Sequence, residues 1–344
     1  MENIKIGIIG AGGNTKLKHI PKLQEIEGVE IVSVCNRTVE SGQKVADEFS
    51  ILNVTANPEE IFQDKTIDAV VIGTWPNKHS ELTIASLNAG KHTMCEARMA
   101  RNLTEAQAMF DIANERNELI AQIVPSPFTF KYDQTLKECI ESKKIGDILA
   151  VNVTGTLGRF ADFERAQTWR EDFEISGENI MTMGIWYEAM IRWLGEARTV
   201  FANGSVSVKN RKSFSGEGQV ELTIPDHINL TGSLQNGANY SIQISQINGL
   251  VPVKNCVEIF GTTGSLILNL DEDSLKIGLK GCDTCEKIDI DPKKQGKWRV
   301  EEEFIGTIRG KEKIVYTNFT EAMKYMQFTD AVQRSLKSQK LETV

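Results

Sequence analysis

A glycine-rich segment close to the N-terminus has the residue types and spacing to bind a phosphate group. It follows the apolar, strand-like residues 4–9 and precedes a helical pattern. Glycines allow a tight turn and let backbone N–H groups approach a pyrophosphate, which then lies at the positive N-terminus of the next helix. The predicted cofactor contacts are Gly10, Gly12, Gly13 and Asn14. Thr15 takes the place of the third glycine of the usual fingerprint, so a glycine turn without a ligand is the alternative.

The end of the second predicted strand carries the residues expected to contact the ribose of a bound dinucleotide. Sites specific for NAD place an acidic residue there, which binds the 2′-hydroxyl group. This chain has Asn36, Arg37 and Thr38 instead. An arginine can pair with a 2′-phosphate, and a threonine hydroxyl can donate to it. The three residues favour NADP(H) over NAD(H), and the alternative is an exposed arginine on a loop.

Composition and charge exclude several classes of protein. The 344 residues are 40% hydrophobic and 25% charged, as in ordinary globular domains. The formal net charge of −8 argues against a nucleic-acid partner, which needs a clustered basic surface. No apolar run reaches the about 18 residues needed to span a membrane. The chain begins directly with a strand-like run and has only six cysteines, so we expect a cytoplasmic location.

Two of the cysteines, Cys282 and Cys285, have the spacing of half a zinc site. A complete site needs a second pair of ligands, and the four histidines are scattered along the chain. We therefore predict no metal, and we interpret the two cysteines as flanking the tip of a hairpin.

The first part of the chain alternates short apolar runs with longer helical periods. This alternation is typical of βαβ units and predicts a doubly wound parallel sheet in a Rossmann domain, residues 1–123. The predicted strands are 4–9, 30–35, 69–73, 92–95 and 119–124, and the predicted helices are 16–25, 39–49, 58–62, 80–89 and 104–117.

Residues 124–344 are predicted to form an α+β domain with a mostly antiparallel sheet. Apolar and polar residues alternate along its strands, which indicates one buried face. The outer face must be polar or covered, so we expect a homo-oligomer formed through this sheet. The predicted strands are 149–156, 199–208, 218–224, 228–234, 238–246, 256–261 and 264–269, and the predicted helices are 132–142, 180–194 and 317–338. The apolar faces named for two strands are Val220, Leu222 and Ile224, and Ile242 and Ile244.

Several short motifs occur in an order that resembles the Gfo/Idh/MocA family of NAD(P)-dependent oxidoreductases. They are the glycine turn, Ile72-Gly73-Thr74 through His79, Ala89-Gly90-Lys91-His92, Cys95-Glu96, Trp169-Arg170 and Phe260-Gly261-Thr262-Thr263-Gly264. The resemblance implies a Rossmann domain followed by a domain with a large open sheet, which in this family often packs against another subunit. It also implies hydride exchange between nicotinamide and a small carbohydrate-like alcohol or ketone.

The sequence departs from the family at the residues that move the hydroxyl proton. The family's Glu-Lys-Pro tripeptide reads Glu96-Ala97-Arg98 here, so its lysine is absent. The family's aspartate and histidine positions hold Thr182 and Trp186. Alcohol oxidation needs a base within hydrogen-bond reach of the hydroxyl proton, and neither alanine nor tryptophan can serve.

Three nearby side chains are candidates to replace the missing groups. Arg98 carries a permanent charge that suits an anionic or polar substrate, and Tyr187 can transfer a proton if a cation lowers its pKa. Glu178 can act as a base if its pKa is raised. The alternatives are a surface ion pair for Arg98, a core aromatic for Tyr187 and a solvated carboxylate at a helix N-terminus for Glu178.

The resemblance places further residues near cofactor or substrate. Besides the glycine turn and the ribose end, the predicted cofactor contacts are Thr74, Trp75, Asn77, His79 and Glu96. The predicted catalytic residues are Tyr187, Arg98 and Glu96, and the predicted substrate contacts are Arg98, Trp169, Arg170, Thr182 and Trp186. His19, on the first helix, is interpreted as structural.

Two functions fit these observations. The first is an NAD(P)-dependent oxidoreductase that acts on a sugar, polyol or related small hydroxy or keto compound with rearranged proton-transfer residues. The second is a dinucleotide-binding sensor or scaffold that kept the fold and lost catalysis. The absent lysine, aspartate and histidine favour the second, whereas Glu96, Trp169-Arg170 and the glycine turn favour the first.

Overall fold

The chain divides into two compact units in the computed structural model, which describes residues 3–214, 216 and 218–344. The first unit contains the described residues up to Pro125 together with Arg299–Met323, and the second contains Ser126–Trp298 and Lys324–Val344. Residues 299–323, which the sequence placed in the second domain, therefore belong to the first. Arg309 anchors them there, because its guanidinium donates to the backbone carbonyls of Glu27 and Gly28.

The first unit contains a six-stranded parallel sheet in the order β3-β2-β1-β4-β5-β6, as expected for a doubly wound Rossmann domain. Its strands are β1 (Ile4–Ile9), β2 (Val29–Cys35), β3 (Asn53–Thr55), β4 (Ala69–Ile72), β5 (His92–Cys95) and β6 (Ala121–Ile123). Its helices are α1 (Ile20–Gln24), α2 (Val39–Phe49), α3 (Pro58–Gln63), α4 (Pro76–Asn88), α5 (Leu103–Glu115) and, from the returning segment, α9 (Val300–Ile308).

Local capping residues explain several of the helix boundaries in this unit. The side chain of Asn57 accepts from the Glu59 N–H, and Pro58 opens α3, as predicted. Gly90, with φ of +78°, follows the end of α4, also as predicted. Helix α5 begins at Leu103, because the Asn102 side chain accepts from the Glu105 N–H. Strand β3 was missed, since its three residues carry too short a pattern to detect.

The second unit contains a nine-stranded sheet in the order β16-β15-β14-β13-β7-β12-β11-β8-β17, antiparallel except between β7 and β12. Its strands are β7 (Ile148–Thr156), β8 (Ala197–Ser205), β11 (His227–Leu234), β12 (Asn239–Ser245), β13 (Asn255–Gly261), β14 (Gly264–Asn269), β15 (Ser274–Leu279), β16 (Glu286–Lys287) and β17 (Glu342–Thr343). A separate pair joins β9 (Asn210–Lys212) to β10 (Gln219–Glu221). The helices are α6 (Phe130–Glu141), α7 (Phe173–Ser176), α8 (Met183–Leu194) and α10 (Phe319–Ser338), the last with its first residues in the first unit.

The nine-stranded sheet has one apolar and one polar face. Residues such as Val151, Val153, Ile242 and Ile244 are buried. Positions on the other face of the sheet are polar and exposed, among them Asn152, Asn203, Asn229, Thr231 and Ser241 on strands β7, β8, β11 and β12. The predicted strand over residues 218–224 is shorter in the structure, although Leu222 and Ile224 are buried as expected. Since its outer face is polar, the sheet does not require a covering partner on hydrophobic grounds.

Candidate active site

The glycine turn connects β1 to the first helix. Gly10 has φ of +85°, and a Cβ added there would lie 2.6 Å from the Thr74 side chain and 2.7 Å from its backbone nitrogen. A Cβ at Gly12 would meet only the Gly73 carbonyl, at 3.6 Å, and one at Gly13 would meet no described atom within 4 Å. Packing within the chain therefore explains glycine at position 10 but not at 12 or 13.

The helix after this turn begins irregularly. Thr15–His19 form a π-helical turn that continues into α1, and Thr15 Oγ1 donates to the Gly10 carbonyl over 3.2 Å. The side chain of Asn14 makes no capping hydrogen bond at this helix start. It donates instead to a carboxylate oxygen of Glu96. The backbone N–H groups of the first turn therefore lack a side-chain cap, an arrangement that suits an anion.

The residues at the end of β2 shape the loop before α2. Asn36 Oδ1 accepts from the Ala11 N–H over 2.8 Å, which ties this loop to the glycine turn. Thr38 caps α2, since its Oγ1 accepts from the Ser41 N–H over 3.2 Å. The side chain of Arg37 is exposed. Of the three predicted ribose contacts, two are thus engaged within the chain and Arg37 is directed to the surface.

The loop after β4 carries four further predicted cofactor contacts. Trp75 is exposed, Asn77 lies half-buried on the first turn of α4, and Thr74 Oγ1 is buried with no hydrogen-bond partner among the described residues. His79 differs from the expectation, because it is fully buried: its Nδ1 lies 2.7 Å from the Arg98 carbonyl and its Nε2 lies 3.0 Å from the Thr74 carbonyl. Burial lowers the pKa of His79. Its ring holds two loops together and is not exposed to a cofactor.

Glu96, after β5, is half-buried and is the centre of a polar network that extends from the exposed Asn14 to the buried His19. One carboxylate oxygen accepts from Asn14 and lies 3.0 Å from His19 Nε2, and the other accepts from the Ala97 N–H over 3.0 Å. Burial by itself raises the pKa of Glu96. The hydrogen bond and the charge of His19, together with the hydrogen bonds from Asn14 and the Ala97 N–H, outweigh burial and lower the pKa to about 2. Glu96 is therefore ionised at neutral pH.

His19 lies between Glu96 and a second carboxylate, that of Glu301 on α9. Its Nδ1 is 2.5 Å from Glu301 Oε1, and both side chains are fully buried. Burial by itself lowers the pKa of His19. The hydrogen bonds to Glu301 and Glu96 outweigh this effect and raise the pKa to about 9. The sequence interpretation missed this pair. A signal was present, because Glu301 falls three and four residues before Phe304 and Ile305, on the apolar side of its helix.

The predicted substrate contacts of the second unit lie on two short elements. Trp169 and Arg170 belong to a 3₁₀ turn, in which the guanidinium lies 4.1 Å from the centre of the indole ring. Thr182 precedes α8 and is half-buried. The residue before it, Met181, has φ of +44°, an unusual conformation for a non-glycine residue.

Trp186 and Tyr187 are core residues of the second unit, contrary to the roles expected of them. The Trp186 side chain is 1% exposed, packs edge-on against Phe128, and fills the space that a Cβ of Gly155 would take. Tyr187 stacks on Phe328 with ring centres 3.7 Å apart, and its hydroxyl accepts from the Ala197 N–H over 3.0 Å. Burial raises the pKa of Tyr187. Proton transfer by Tyr187, and substrate contact by Trp186, do not fit these positions.

Glu178 remains a candidate base. Its side chain is half-buried, and its backbone carbonyl accepts from Gln333 Nε2 over 2.9 Å. Burial raises the pKa of its carboxyl, the charge of Asp330 raises it further, and Lys337 lowers it. The net shift moves this carboxyl in the direction that a general base requires.

Cys282 and Cys285 are exposed in the segment between β15 and β16, as the hairpin interpretation predicted. Across the described ranges, no group of three or more His, Cys, Asp or Glu side chains is arranged to hold a metal ion. None of the helices in those ranges is long and apolar enough to cross a membrane.

The sheet order, the glycine turn and the second sheet define a Rossmann dinucleotide-binding unit combined with an α+β unit. Two family models match the chain: the oxidoreductase family with an NAD-binding Rossmann fold, over residues 4–123, and the GFO/IDH/MocA C-terminal domain, over residues 134–267. The chain belongs to the Gfo/Idh/MocA family of oxidoreductases, which confirms the resemblance inferred from its motifs.

Individual relatives are distant. Levoglucosan dehydrogenase of Pseudarthrobacter phenanthrenivorans is 28% identical over 304 residues, which cover 80% of this chain and 76% of that protein. Myo-inositol 2-dehydrogenase of Thermotoga maritima is 25% identical over 219 residues, which cover 62% of each protein. A solved structure of levoglucosan dehydrogenase in complex with NADH and L-sorbose has a TM-score of 0.84 at 22% identity and covers 99% of both chains. This structural likeness supports the fold.

Proposed function

We propose that this chain binds a nicotinamide dinucleotide at its glycine turn and exchanges hydride with a hydroxyl-bearing or keto carbon of a sugar or polyol. The observation that carries the proposal is the open space at Gly12 and Gly13, where an added Cβ would meet no close neighbour. Glycine is explained at both positions if the pyrophosphate of a cofactor comes close to the backbone there. Thr74 Oγ1 on the neighbouring loop is buried without a hydrogen-bond partner among the described residues, and it can supply a further polar contact.

The substrate class follows from the relatives and from the polar side chains. Two relatives are named for their action on levoglucosan and on myo-inositol, both of which carry several hydroxyl groups. Arg98 and Arg170 can donate to such hydroxyls, and the ring of Trp169 can pack against a sugar ring. We keep Thr182 as a substrate contact and remove Trp186, because the indole is buried.

The bound nicotinamide supplies the hydride chemistry, and the chain must handle the proton. The family's lysine is absent, and Tyr187 is buried in the core. We therefore assign the proton-acceptor role to Glu178, whose pKa is raised by burial. Glu178→Gln should lower kcat by about 100-fold and leave NADH affinity unchanged, which is the effect expected for loss of a general base. Glu174→Gln is the matched control, since it removes a carboxylate of the preceding helix.

NADP(H) remains the proposed preference over NAD(H). Arg37 is exposed at the end of β2, where a 2′-phosphate would lie, and none of residues 36–38 is acidic. The family model is described as NAD-binding and the similar solved structure contains NADH, so binding of both cofactors should be measured.

A homo-oligomer joined through the nine-stranded sheet also remains a proposal. The exposed amides and hydroxyls on its outer face suit a polar, hydrated interface. Light scattering at micromolar concentration tests it, and a mass near the 38.3 kDa of one chain would contradict it.

The second candidate function is a dinucleotide-binding sensor without turnover. The observation that favours it is the replacement of polar groups by packing, with alanine at position 97 and a buried indole at position 186. The two functions are separated by one experiment. NADH and NADPH binding are measured by calorimetry, and nicotinamide absorbance is then followed with levoglucosan, inositols and keto-sugars. Turnover of any of these supports the dehydrogenase, and tight binding without turnover supports the sensor.

A further inference from the structure

The buried histidine on the first helix joins three segments that are far apart in the sequence. His19 follows the glycine turn, Glu96 follows β5, and Glu301 lies on α9. Through Glu96 the network reaches Asn14, within the turn that we assign to the pyrophosphate. All four side chains belong to the first unit.

The geometry places the imidazole between two carboxyl groups. Both ring nitrogens lie within hydrogen-bond distance of a carboxylate oxygen, at 2.5 Å for Glu301 and 3.0 Å for Glu96. An ionised carboxylate only accepts hydrogen bonds, and a neutral imidazole donates from one nitrogen only. With both carboxyl groups ionised, only the doubly protonated imidazolium donates to each of them, which matches the raised pKa of about 9 for His19.

We propose that His19 is a positioning residue: as an imidazolium held by Glu301, it fixes the Glu96 carboxylate against Asn14 and so sets the glycine turn for cofactor binding. The proposal rests on the proposed function, because it concerns the same dinucleotide. It gives His19 and Glu301 a part in cofactor binding. Neither residue is placed in contact with cofactor or substrate.

The charges of Glu96 and His19 also affect the binding of an anionic cofactor. Glu96 carries a negative charge close to the segment that would receive two cofactor phosphates. His19 compensates that charge while it is protonated. Loss of its proton would leave the Glu96 carboxylate beside a neutral ring, and both the hydrogen bond to Glu96 and the compensation would weaken. NADH affinity should therefore fall as pH rises through the pKa of His19.

Other titratable groups interact with the network. Lys22 on α1 is influenced by Glu301 and Glu302, but it is only partly buried and is paired with Glu25. Cys95 is influenced by the charge of Glu96, and burial raises the pKa of its thiol. His79 is influenced by the charge of Glu96, and its own pKa is lowered by burial. A change of affinity near pH 9 is therefore assigned to His19, and variants can test the assignment.

The experiment measures NADH affinity of the full chain by fluorescence between pH 6 and pH 10. For the unmodified chain we expect constant affinity up to about pH 8 and a fall with a midpoint near pH 9, the pKa of His19. His19→Gln keeps a donor for one carboxylate but no titratable proton. It should bind NADH about tenfold more weakly at pH 7, as for a lost charge-assisted hydrogen bond, with a flat profile above that pH.

Glu301→Gln separates positioning from simple packing. It preserves size and removes one of the two charges that stabilise the imidazolium, so the midpoint of the affinity profile should move to lower pH. A purely structural role for Glu301 would weaken binding at every pH without moving the midpoint. His92→Gln is the matched control at the opposite end of β5, where His92 Nδ1 accepts from the Ile120 N–H, and it should leave the profile unchanged.

The outcomes distinguish this inference from the proposed function. If the unmodified chain binds neither NADH nor NADPH, the proposed function fails. If it binds NADH and His19→Gln binds equally well with the same profile, the positioning role is overturned. If His19→Gln does not fold, the pH midpoint of NADH affinity in Glu301→Gln decides between the two outcomes. A midpoint equal to that of the unmodified chain overturns the proposal.

Discussion

The end of β5 in the first unit and the start of α8 in the second are two places where the sequence predicts a departure from the family, and their side chains differ in kind. After β5, the retained Glu96 is held by Asn14 and the buried His19. At α8, Trp186 packs against Phe128. The first region is a charged network, and the second is part of an apolar core. Charged groups therefore lie beside the glycine turn, whereas apolar packing fills the start of α8.

The largest expected effect tests the apolar region. Trp186→Ala removes a side chain that is 1% exposed, and we expect it to lower the free energy of unfolding by about 3–5 kcal/mol through loss of burial and creation of a cavity. NADH affinity should be unchanged. Urea denaturation measures the first quantity and calorimetry the second. Trp75→Ala, at an exposed tryptophan, is the control for stability, and equal losses in the two variants would contradict the core role.

The glycine turn offers a test in which binding and stability separate. Gly12→Val should weaken NADH binding by at least about 100-fold while the unfolding temperature stays close to that of the unmodified chain, because its Cβ has space in the protein but not beside a pyrophosphate. Gly10→Ala should instead reduce stability, by about 2 kcal/mol or more, because of its positive φ and its contact with Thr74. Unchanged NADH affinity in Gly12→Val would remove the cofactor from this turn.

Tyr187→Phe sharpens the comparison at α8. The variant deletes the hydroxyl that accepts from the Ala197 N–H and leaves that buried donor unpaired, so we expect a loss of about 1–3 kcal/mol in stability. Turnover of any substrate found in the panel should be unaffected. A hundredfold loss of kcat at full stability would restore Tyr187 as the proton-transfer residue.

The smallest expected effect concerns cofactor preference. Arg37→Ala should weaken NADPH about tenfold and NADH much less, since only the former carries the 2′-phosphate that the guanidinium can bind. Calorimetry with both cofactors measures the difference. Lys44→Ala, on the exposed surface of α2, serves as the control for general loss of positive charge. Equal weakening of the two cofactors would refute the role of Arg37.

Much of the first unit was predictable because its signals are local. The alternation of strands and helices, the start of α3 at Asn57-Pro58 and the end of α4 before Gly90 each depend on residues within one turn or strand. The family resemblance was carried by motifs of the same short range. The three-residue β3 and the start of α5 at Leu103 were missed, since short patterns leave neighbouring residues equally suitable.

The site itself was predicted less completely. The glycine turn and Arg37 were identified by residue type and position, and the structure leaves both available to a ligand. Residue type did not show that His79 and Tyr187 are buried, because a histidine or tyrosine suits a polar site and a buried hydrogen bond equally well. Burial decided between the two, and burial depends on elements that pack from elsewhere in the chain, such as Phe328 against Tyr187.

The amino-acid sequence by itself determined the class of fold and the family, because both depend on motifs whose residues lie close together in the chain. The tertiary structure alone decided that residues 299–323 belong to the first unit and that His19 meets Glu301. These two residues are 282 positions apart, and no local pattern relates them. The charge of a buried histidine depends on which groups surround it in space, and only the folded chain brings two carboxylates to one ring.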